Sequence, residues 1–217
     1  MRVRARWTKV SQKDRIDVLI LEIFIMKRAI IVHCWDGYPT YCWYPDTKKE
    51  LEEKGFEVVV PALPDTNLPD QNKWLPALRE VIGETNQDTY LVGHSAGCIT
   101  ILRYLESLAP NQHIGGVVLV AGFTDNLGFK ELESFFSTPI NFEKIKKHCS
   151  RFVLIHSDND PFVDLKYGYI LSKELDGKLI VKHNAKHFSG AVDNTESCTS
   201  LPEVAQSIVG FTSSDKN

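Results

Sequence analysis

Short apolar runs alternate with amphipathic segments along the chain from residue 28 onward. Six runs are rich in β-branched residues and mostly continuous in apolar character, and they lie at 28–33, 56–61, 89–94, 115–122, 151–157 and 178–183. Continuous apolar runs of this length are typical of strands that are buried on both faces. The pattern therefore predicts six strands in a mainly parallel sheet.

The segments between these runs have helical spacing. Helices are predicted within residues 46–55, 74–84, 96–110, 161–177 and 201–211. Gly55 and Gly177 are typical of the position just after a helix, and Pro161 is typical of a first helical turn. Because strands and helices alternate throughout, the chain is predicted to form a three-layer α/β/α sandwich, as a single domain over residues 26–217.

Residues 1–25 do not fit this alternation. They begin with a basic, polar stretch and continue with an apolar run that is interrupted by Glu22 and lacks a small-residue cleavage site. The run is also too short to span a bilayer. An extra edge element, a targeting segment, and upstream sequence outside the natural product are the three interpretations. Met26 directly precedes the first core strand, which favours the third, and residues up to Asp14 are predicted to be disordered.

Composition narrows the class of protein. Hydrophobic residues make up 43% of the 217 residues and charged residues 24%, as in a globular protein with a sizeable core. The formal net charge of -3 lacks the basic excess of nucleic-acid binders, and no membrane association is expected. The five cysteines are odd in number and form no C-x-x-C pair, which predicts free thiols in a reducing, cytoplasmic compartment.

The most informative motif follows the third predicted strand. Residues 93–97 match G-x-S-x-G between a strand and a helix, at the strand end where parallel sheets bind ligands. Such a turn lifts the oxygen of Ser95 clear of the backbone, and side chains at the two glycine positions would clash with neighbouring elements. The turn also places the amide of Ala96 at a helix N-terminus, where it can donate to an oxyanion.

A serine nucleophile needs a base, and the base needs an orienting carboxylate. The two are expected on loops after later strands, in the order acid and then histidine. Asp160 is favoured as the acid because it directly precedes Pro161 and can reach across to the histidine loop. Asp158 is predicted to cap or brace the turn, and Asp125, after an earlier strand, is a minor alternative.

His187 is favoured as the base because it lies on the loop beyond the last strand, whereas His183 closes the strand itself. Structural hydrogen bonds are predicted for the remaining candidates, His33, His94 and His156. A metal site of His183, His187 and Asp193 is disfavoured, because i, i+4 spacing aligns ligands only on a helix. No metal is therefore predicted.

The loop after the first core strand, residues 33–37, is expected to supply the second oxyanion donor. The backbone N–H of Trp35 is the candidate. Cys34 is a weak alternative nucleophile, since no base is implied beside it. The loop lacks G-x-G-x-x-G, which argues against a dinucleotide site, and no cofactor is predicted.

Five stretches together resemble a known family, the RBBP9/YdeN serine hydrolases: AIIVHCWDG, VVVPALPDTNLPDQNKWL, YLVGHSAGC, DNDPFV and KHF. The resemblance runs from Ala29 to the last predicted helix. It implies an α/β-hydrolase fold without a large cap domain and a triad of Ser95, Asp160 and His187. Residues 1–25 and a longer segment at 124–145 depart from the family pattern.

Two groups of aromatic residues could influence which substrate binds, and the first lies in the segment at 124–145. Phe129, Phe135 and Phe136 are expected either to form a small flap over the site or to lie on a surface helix. Five aromatic residues follow the first core strand: Trp35, Tyr38, Tyr41, Trp43 and Tyr44. They are expected either to lie near the pocket mouth, where they would favour a small aromatic or short acyl group, or to pack the first helix.

The expected activity is hydrolysis of a carboxylic ester or related small-molecule acyl substrate through an acyl-enzyme. A peptidase or thioesterase would use the same groups. The alternative from another class is a binding protein on a hydrolase scaffold, with a protein partner that the sequence does not identify.

Overall fold

The computed structural model describes residues 26–189 and 198–213. The predictions for residues 1–25, including disorder up to Asp14, lie outside the described residues. None of the helices within the described ranges is long and apolar enough to cross a membrane.

Six parallel strands form one sheet in the order β2-β1-β3-β4-β5-β6. Their bounds are Arg28–Val32 (β1), Glu57–Val59 (β2), Thr89–His94 (β3), Gly116–Val120 (β4), Phe152–Ser157 (β5) and Lys178–Lys182 (β6). Every predicted strand is present, and β1, β3, β4 and β5 are almost wholly buried. Continuous apolar character thus marked the strands that are covered on both faces.

Helices cover both faces of this sheet. Their bounds are Tyr44–Glu52 (α1), Gln71–Ile82 (α2), Ala96–Glu106 (α3), Phe142–His148 (α4), Lys166–Glu174 (α5) and Pro202–Ser213 (α6), with a 3-10 helix at Lys130–Phe136. One core lies beneath α2, α3, α4 and α5, and the other beneath α1 and α6. Successive residues of β1 alternate between them, with Ile30 in the first core and Ile31 in the second. The three-layer α/β/α prediction is confirmed.

Local hydrogen bonds of aspartate side chains accompany two helix starts that differ from their predicted positions. The helix predicted from Pro161 begins at Lys166, because Asp160 accepts hydrogen bonds from the amides of Phe162 and Val163 in a turn that precedes the helix. In α2 the side chain of Asp70 caps the N-terminus, so that the helix begins at Gln71, three residues before the predicted start.

The strand order reverses at β1. The chain places β2 on one side of β1 and then crosses to place β3 on the other. The loops that follow β1 and β3 therefore leave the sheet side by side, and this is the point where doubly wound sheets open a crevice for ligands. It is also where the first turn of α3 passes close to the end of β1.

Gly97 makes that close approach possible. A Cβ atom at this position would lie 2.2 Å from the carbonyl oxygen of Val32 and 2.8 Å from that of His33. Both obstacles are backbone atoms of a central strand end, so neither can rotate away. Any residue larger than glycine would push α3 off the sheet.

We expect Gly97→Ala to lower the free energy of unfolding by about 3 kcal/mol, since its methyl group overpacks a backbone contact. Gly210→Ala is the matched control, because a Cβ atom at Gly210, in α6, meets no atom within 4 Å. In a helix this change should be neutral or stabilising by up to about 1 kcal/mol. Urea denaturation followed by circular dichroism measures both, and equal stability of the two variants would contradict the close approach.

Candidate active site

Ser95 sits on a strained turn between β3 and α3. Its φ of 52° and ψ of -116° lie outside the regions that non-glycine residues favour. The backbone N–H of Ser95 donates to Val120 O at 2.9 Å, which ties the turn to β4. A Cβ atom at Gly93 would lie 2.8 Å from both Cα and N of Cys98. Both glycines of the motif are thus sterically required, as predicted.

Asp160 and His187 are paired at the same end of the sheet. Nδ1 of His187 lies 2.8 Å from Oδ2 of Asp160, and the two side chains are 9% and 1% exposed. The other carboxylate oxygen accepts from the amides of Phe162 and Val163 at 2.9 and 3.0 Å. These bonds fix the carboxylate, which in turn holds the His187 ring with Nδ1 as the donor and leaves Nε2 without its proton in the neutral imidazole.

The two alternative acids contact other residues. Asp158 accepts from Nδ1 of His183 at 2.5 Å and from the amide of Asn184 at 2.9 Å. These bonds, the one from Asn184 first, hold the pKa of Asp158 below its ordinary value. Asp125 accepts the hydroxyl of Tyr167 at 2.8 and 2.7 Å, and burial followed by this bond raises the pKa of Tyr167 to about 12.

Four consecutive side chains at 157–160 hold the loop at 184–187. The amides of Asn184, Ala185 and Lys186 and the His187 ring donate respectively to Asp158, Ser157, Asn159 and Asp160, at 2.9, 2.9, 2.9 and 2.8 Å. Sequence reasoning identified the bracing role of Asp158 but missed those of Ser157 and Asn159. The available signal was the run of four hydrogen-bond acceptors directly after a buried strand.

The loop needs this support because its backbone is unusual. Asn184, Lys186 and Phe188 all have positive φ, at 54°, 52° and 55°. Left-handed conformations are unfavourable for lysine and phenylalanine and persist only where the surroundings fix them. The bonds from 157–160 satisfy the amides that this backbone leaves without secondary-structure partners.

The two predicted oxyanion donors, the backbone amides of Trp35 and Ala96, belong to residues at the same cavity as Ser95. Trp35 and Ala96 both line the cavity that Ser95 and His187 also line. Their N–H groups donate no hydrogen bond to any other described residue. Ala96 is the first residue of α3, where the helix dipole adds positive potential. Both amides are therefore available to donate hydrogen bonds to a negatively charged oxygen.

Cys34 lines the same cavity, but its thiol is unsuited to nucleophilic attack. Burial raises its pKa to about 11, so the protonated thiol predominates at neutral pH. Burial also raises the pKa of Cys149 to about 12. The five cysteines, all at described positions, form no disulfide bond.

The cavity has a volume of about 230 Å³ and is mainly apolar. Its apolar walls are formed by Trp35, Phe123, Leu127, Phe129, Leu132 and Phe162. Of the predicted flap residues, only Phe129 lines it. Phe135 is fully buried against Trp74, with 6.1 Å between ring centroids, and Phe136 contacts Phe123.

Of the aromatic cluster expected near the pocket mouth, Trp35 alone lines the cavity. Trp43 and Tyr44 are fully buried, so the helix-packing interpretation is confirmed for this pair, while Tyr38 is exposed on the surface. The reason is that α1 begins at Tyr44 and turns both side chains inward against the sheet.

Ser189 adds a polar group that sequence reasoning missed. It lines the cavity two residues after His187, and its buried Oγ has no hydrogen-bond partner among the described residues. Buried hydroxyls normally have partners, so this one is free to bind a polar atom of a ligand.

Structural hydrogen bonds are confirmed for His33 and His94. His33 Nδ1 lies 2.8 Å from Cys34 O, and its Nε2 accepts from the amide of Leu63. At His156 the prediction fails for one nitrogen, since the buried Nε2 has no partner in the described part of the chain. Burial lowers the pKa of His156 to about 4, so the ring is neutral at physiological pH.

The disfavoured metal site is not assembled from described residues. His183 and His187 are each bound to a separate aspartate, and Asp193 lies outside the described residues. The part of the chain that the structure describes contains no group of three or more His, Cys, Asp or Glu residues arranged to hold a metal ion.

Comparison with known proteins gives a consistent result. A family model described as serine hydrolase matches residues 29–207. The YdeN protein of Bacillus subtilis is 30% identical over 190 residues, which is 87% of this chain and 98% of YdeN. The serine hydrolase RBBP9 of Rattus norvegicus is 31% identical over 160 residues, 72% of this chain and 81% of that protein.

Solved structures agree in fold. The crystal structure of Bacillus subtilis YdeN superposes with a TM-score of 0.81 at 29% identity, over 87% of this chain and all of that one. Est1E of Butyrivibrio proteoclasticus gives a TM-score of 0.65 at 14% identity, over 87% of this chain and 88% of that one. The second similarity is one of fold alone.

Proposed function

This chain belongs to the serine hydrolase family, and from that premise we propose that it hydrolyses carboxylic esters or related acyl compounds through Ser95, Asp160 and His187. The observation that carries the proposal is the 2.8 Å bond between buried Asp160 and His187, beside a cavity that Ser95 and His187 line together. A buried carboxylate that fixes one imidazole nitrogen leaves the other to act as a base.

The first half of the reaction acylates the enzyme. Nε2 of His187 takes the proton of Ser95 as Oγ attacks the carbonyl carbon, and Asp160 stabilises the imidazolium. The amides of Trp35 and Ala96 donate to the oxyanion of the tetrahedral intermediate. When the intermediate collapses, the imidazolium gives its proton to the departing alkoxide, and the acyl group remains on Ser95.

The second half repeats these steps with water. His187 removes a proton from water, hydroxide attacks the acyl-enzyme carbonyl, and the same two amides receive the oxyanion. Proton return to Ser95 releases the carboxylic acid. In both halves His187 acts first as a general base and then as a general acid.

Covalent labelling tests Ser95 as the nucleophile. A fluorophosphonate probe should add once to the wild-type protein, and intact mass should show no adduct on Ser95→Ala. Ser107→Ala is the matched control, since Ser107 lies at the other end of α3 and donates to Tyr104 O. A folded wild type without an adduct would favour a binding protein on a hydrolase scaffold.

The two neighbouring aspartates make a second, internally controlled comparison. Asp160→Asn should lower kcat by about 10³- to 10⁴-fold, because the amide favours the wrong tautomer of His187. Asp158→Asn should lower it less than about tenfold, because the Asp158 carboxylate binds His183 and the amide of Asn184 rather than the His187 ring. Hydrolysis rates of a p-nitrophenyl ester measure both, and the reverse order would assign the acid to Asp158.

We further propose that the acyl group is compact and apolar or aromatic. The cavity volume of about 230 Å³ is below the roughly 300–1,000 Å³ of pockets that hold drug-sized ligands, and six of its lining side chains are large and apolar.

The absence of disulfides among the five cysteines supports action in a reducing compartment such as the cytoplasm.

A series of p-nitrophenyl esters tests the acyl preference. We expect kcat/KM to be highest for chains of about two to six carbons and to fall at least tenfold for about ten or more, because a longer chain extends beyond this cavity. The alcohol is the same throughout, so the comparison isolates the acyl group. A maximum at long chains would contradict the assignment of this cavity to the acyl group.

A further inference from the structure

A chain of three hydrogen bonds connects the loop after β1 to the loop that carries His187. The amide of Cys34 donates to the hydroxyl of Tyr44 at 3.0 Å, that hydroxyl lies 2.7 Å from Nδ1 of His94, and Nε2 of His94 lies 2.8 Å from the carbonyl oxygen of His187. All four residues are buried. This series of hydrogen bonds runs through His94, the residue that directly precedes Ser95.

The partners fix the direction of every bond. The carbonyl of His187 can only accept, so Nε2 of His94 carries the hydrogen, and in a neutral imidazole Nδ1 is then an acceptor. The hydroxyl of Tyr44 therefore donates to Nδ1, and its oxygen accepts the amide hydrogen of Cys34. Each polar atom along the chain has a partner only in this one arrangement.

The surroundings keep His94 in that state. Its ring packs against Trp43, Tyr44 and His187, with centroid separations of 5.6, 5.9 and 5.3 Å. Burial, followed by the neighbouring His187, lowers the pKa of His94 to about 3. The imidazole is therefore neutral, and its two hydrogen bonds favour one ring orientation.

We propose that Tyr44 and His94 are positioning residues for acyl transfer, which hold the Trp35 amide and the His187 ring in register on either side of Ser95. The proposal rests on the proposed function. Cys34 directly precedes Trp35, so fixing its amide fixes the start of the loop that presents the oxyanion donor. His187 is held at both ends, since Asp160 binds its ring and His94 binds its carbonyl.

Neither residue touches the substrate cavity. Tyr44 and His94 are absent from its lining, whereas Trp35, Ser95 and His187 form part of it. Losing these hydrogen bonds should therefore slow the chemical step, because small displacements of reacting groups strongly reduce its rate. Substrate binding should remain nearly unchanged. This kcat-against-KM split separates positioning from a role in the pocket.

The test is Tyr44→Phe, which removes one oxygen atom and keeps the ring. We expect kcat for a short-chain p-nitrophenyl ester to fall about tenfold or more, with KM within about twofold of wild type. Tyr104→Phe is the matched control, because Tyr104 is equally buried but lies on α3 with its hydroxyl outside this chain. It should retain wild-type kcat. A Tyr44→Phe variant with wild-type kcat would overturn the inference.

A double-mutant cycle adds a measure that a general loss of packing would not reproduce. If Tyr44 and His94 act through one chain, Tyr44→Phe combined with His94→Gln should lower kcat little more than the stronger single variant does. Multiplying effects would instead mean that the two residues act independently, which overturns the inference. A wild type without Ser95-dependent turnover would overturn the proposed function, and this inference with it.

The wild-type protein offers a test that no unfolded variant can obscure. Nitrogen-15 spectra of labelled histidine should show His94 protonated at Nε2 and unprotonated at Nδ1 throughout pH 5 to 8. The opposite tautomer, or titration of His94 within that range, would be incompatible with the bond to His187 or to Tyr44. Either result would overturn the inference.

Discussion

The contact between the first turn of α3 and the end of β1 is the constraint on which the rest of the structure depends. Gly97 lets α3 approach until only a hydrogen atom fits between its Cα and Val32 O. The approach forces the turn before it, so that Ser95 adopts a positive φ and its side chain leaves the line of β3. The same contact brings the loop after β1 beside Ser95, so that Trp35 and Ala96 line the same cavity as Ser95.

The other half of the site depends on β5 and β6 being neighbours. Their pairing brings the loop at 157–160 alongside the loop at 184–187, and the four acceptor side chains of the first then bind the second. A backbone with positive φ at Lys186 and Phe188 is held by those bonds rather than by glycine. The two halves of the site are connected through His94, the last residue of β3, whose ring bonds to His187 O.

Periodicity was sufficient to predict the sheet, because strands that are buried on both faces must be apolar throughout. Because Ser95, Asp160 and His187 each follow a parallel strand, the sequence also predicted that they lie at the same end of the sheet. Periodicity was insufficient at residues 130–148, where a 3-10 helix and α4 are too short to produce a clear repeat. The bond between Tyr44 and His94 joins residues 50 positions apart, and only the folded packing of α1 reveals it.

The segment after β4 determines how the cavity is closed. Arg103 is buried on α3 and donates to the carbonyls of Phe135 and Thr138 at 2.8 and 2.5 Å. Its partner Glu106 accepts the amide of Asn141, so one ion pair holds both ends of the stretch that follows the 3-10 helix. Removing the guanidinium would leave the carbonyls of Phe135 and Thr138 without these donors and would loosen the attachment of this stretch to α3.

One helix thus serves two purposes. The N-terminus of α3 carries Ser95 and the Ala96 amide, while its last turn anchors the wall from which Leu132 contacts the cavity. Ser95 and this wall are therefore connected through a single helix. Under the proposed function, side chains such as Phe129 and Leu132, which line the cavity, limit the size of the acyl group.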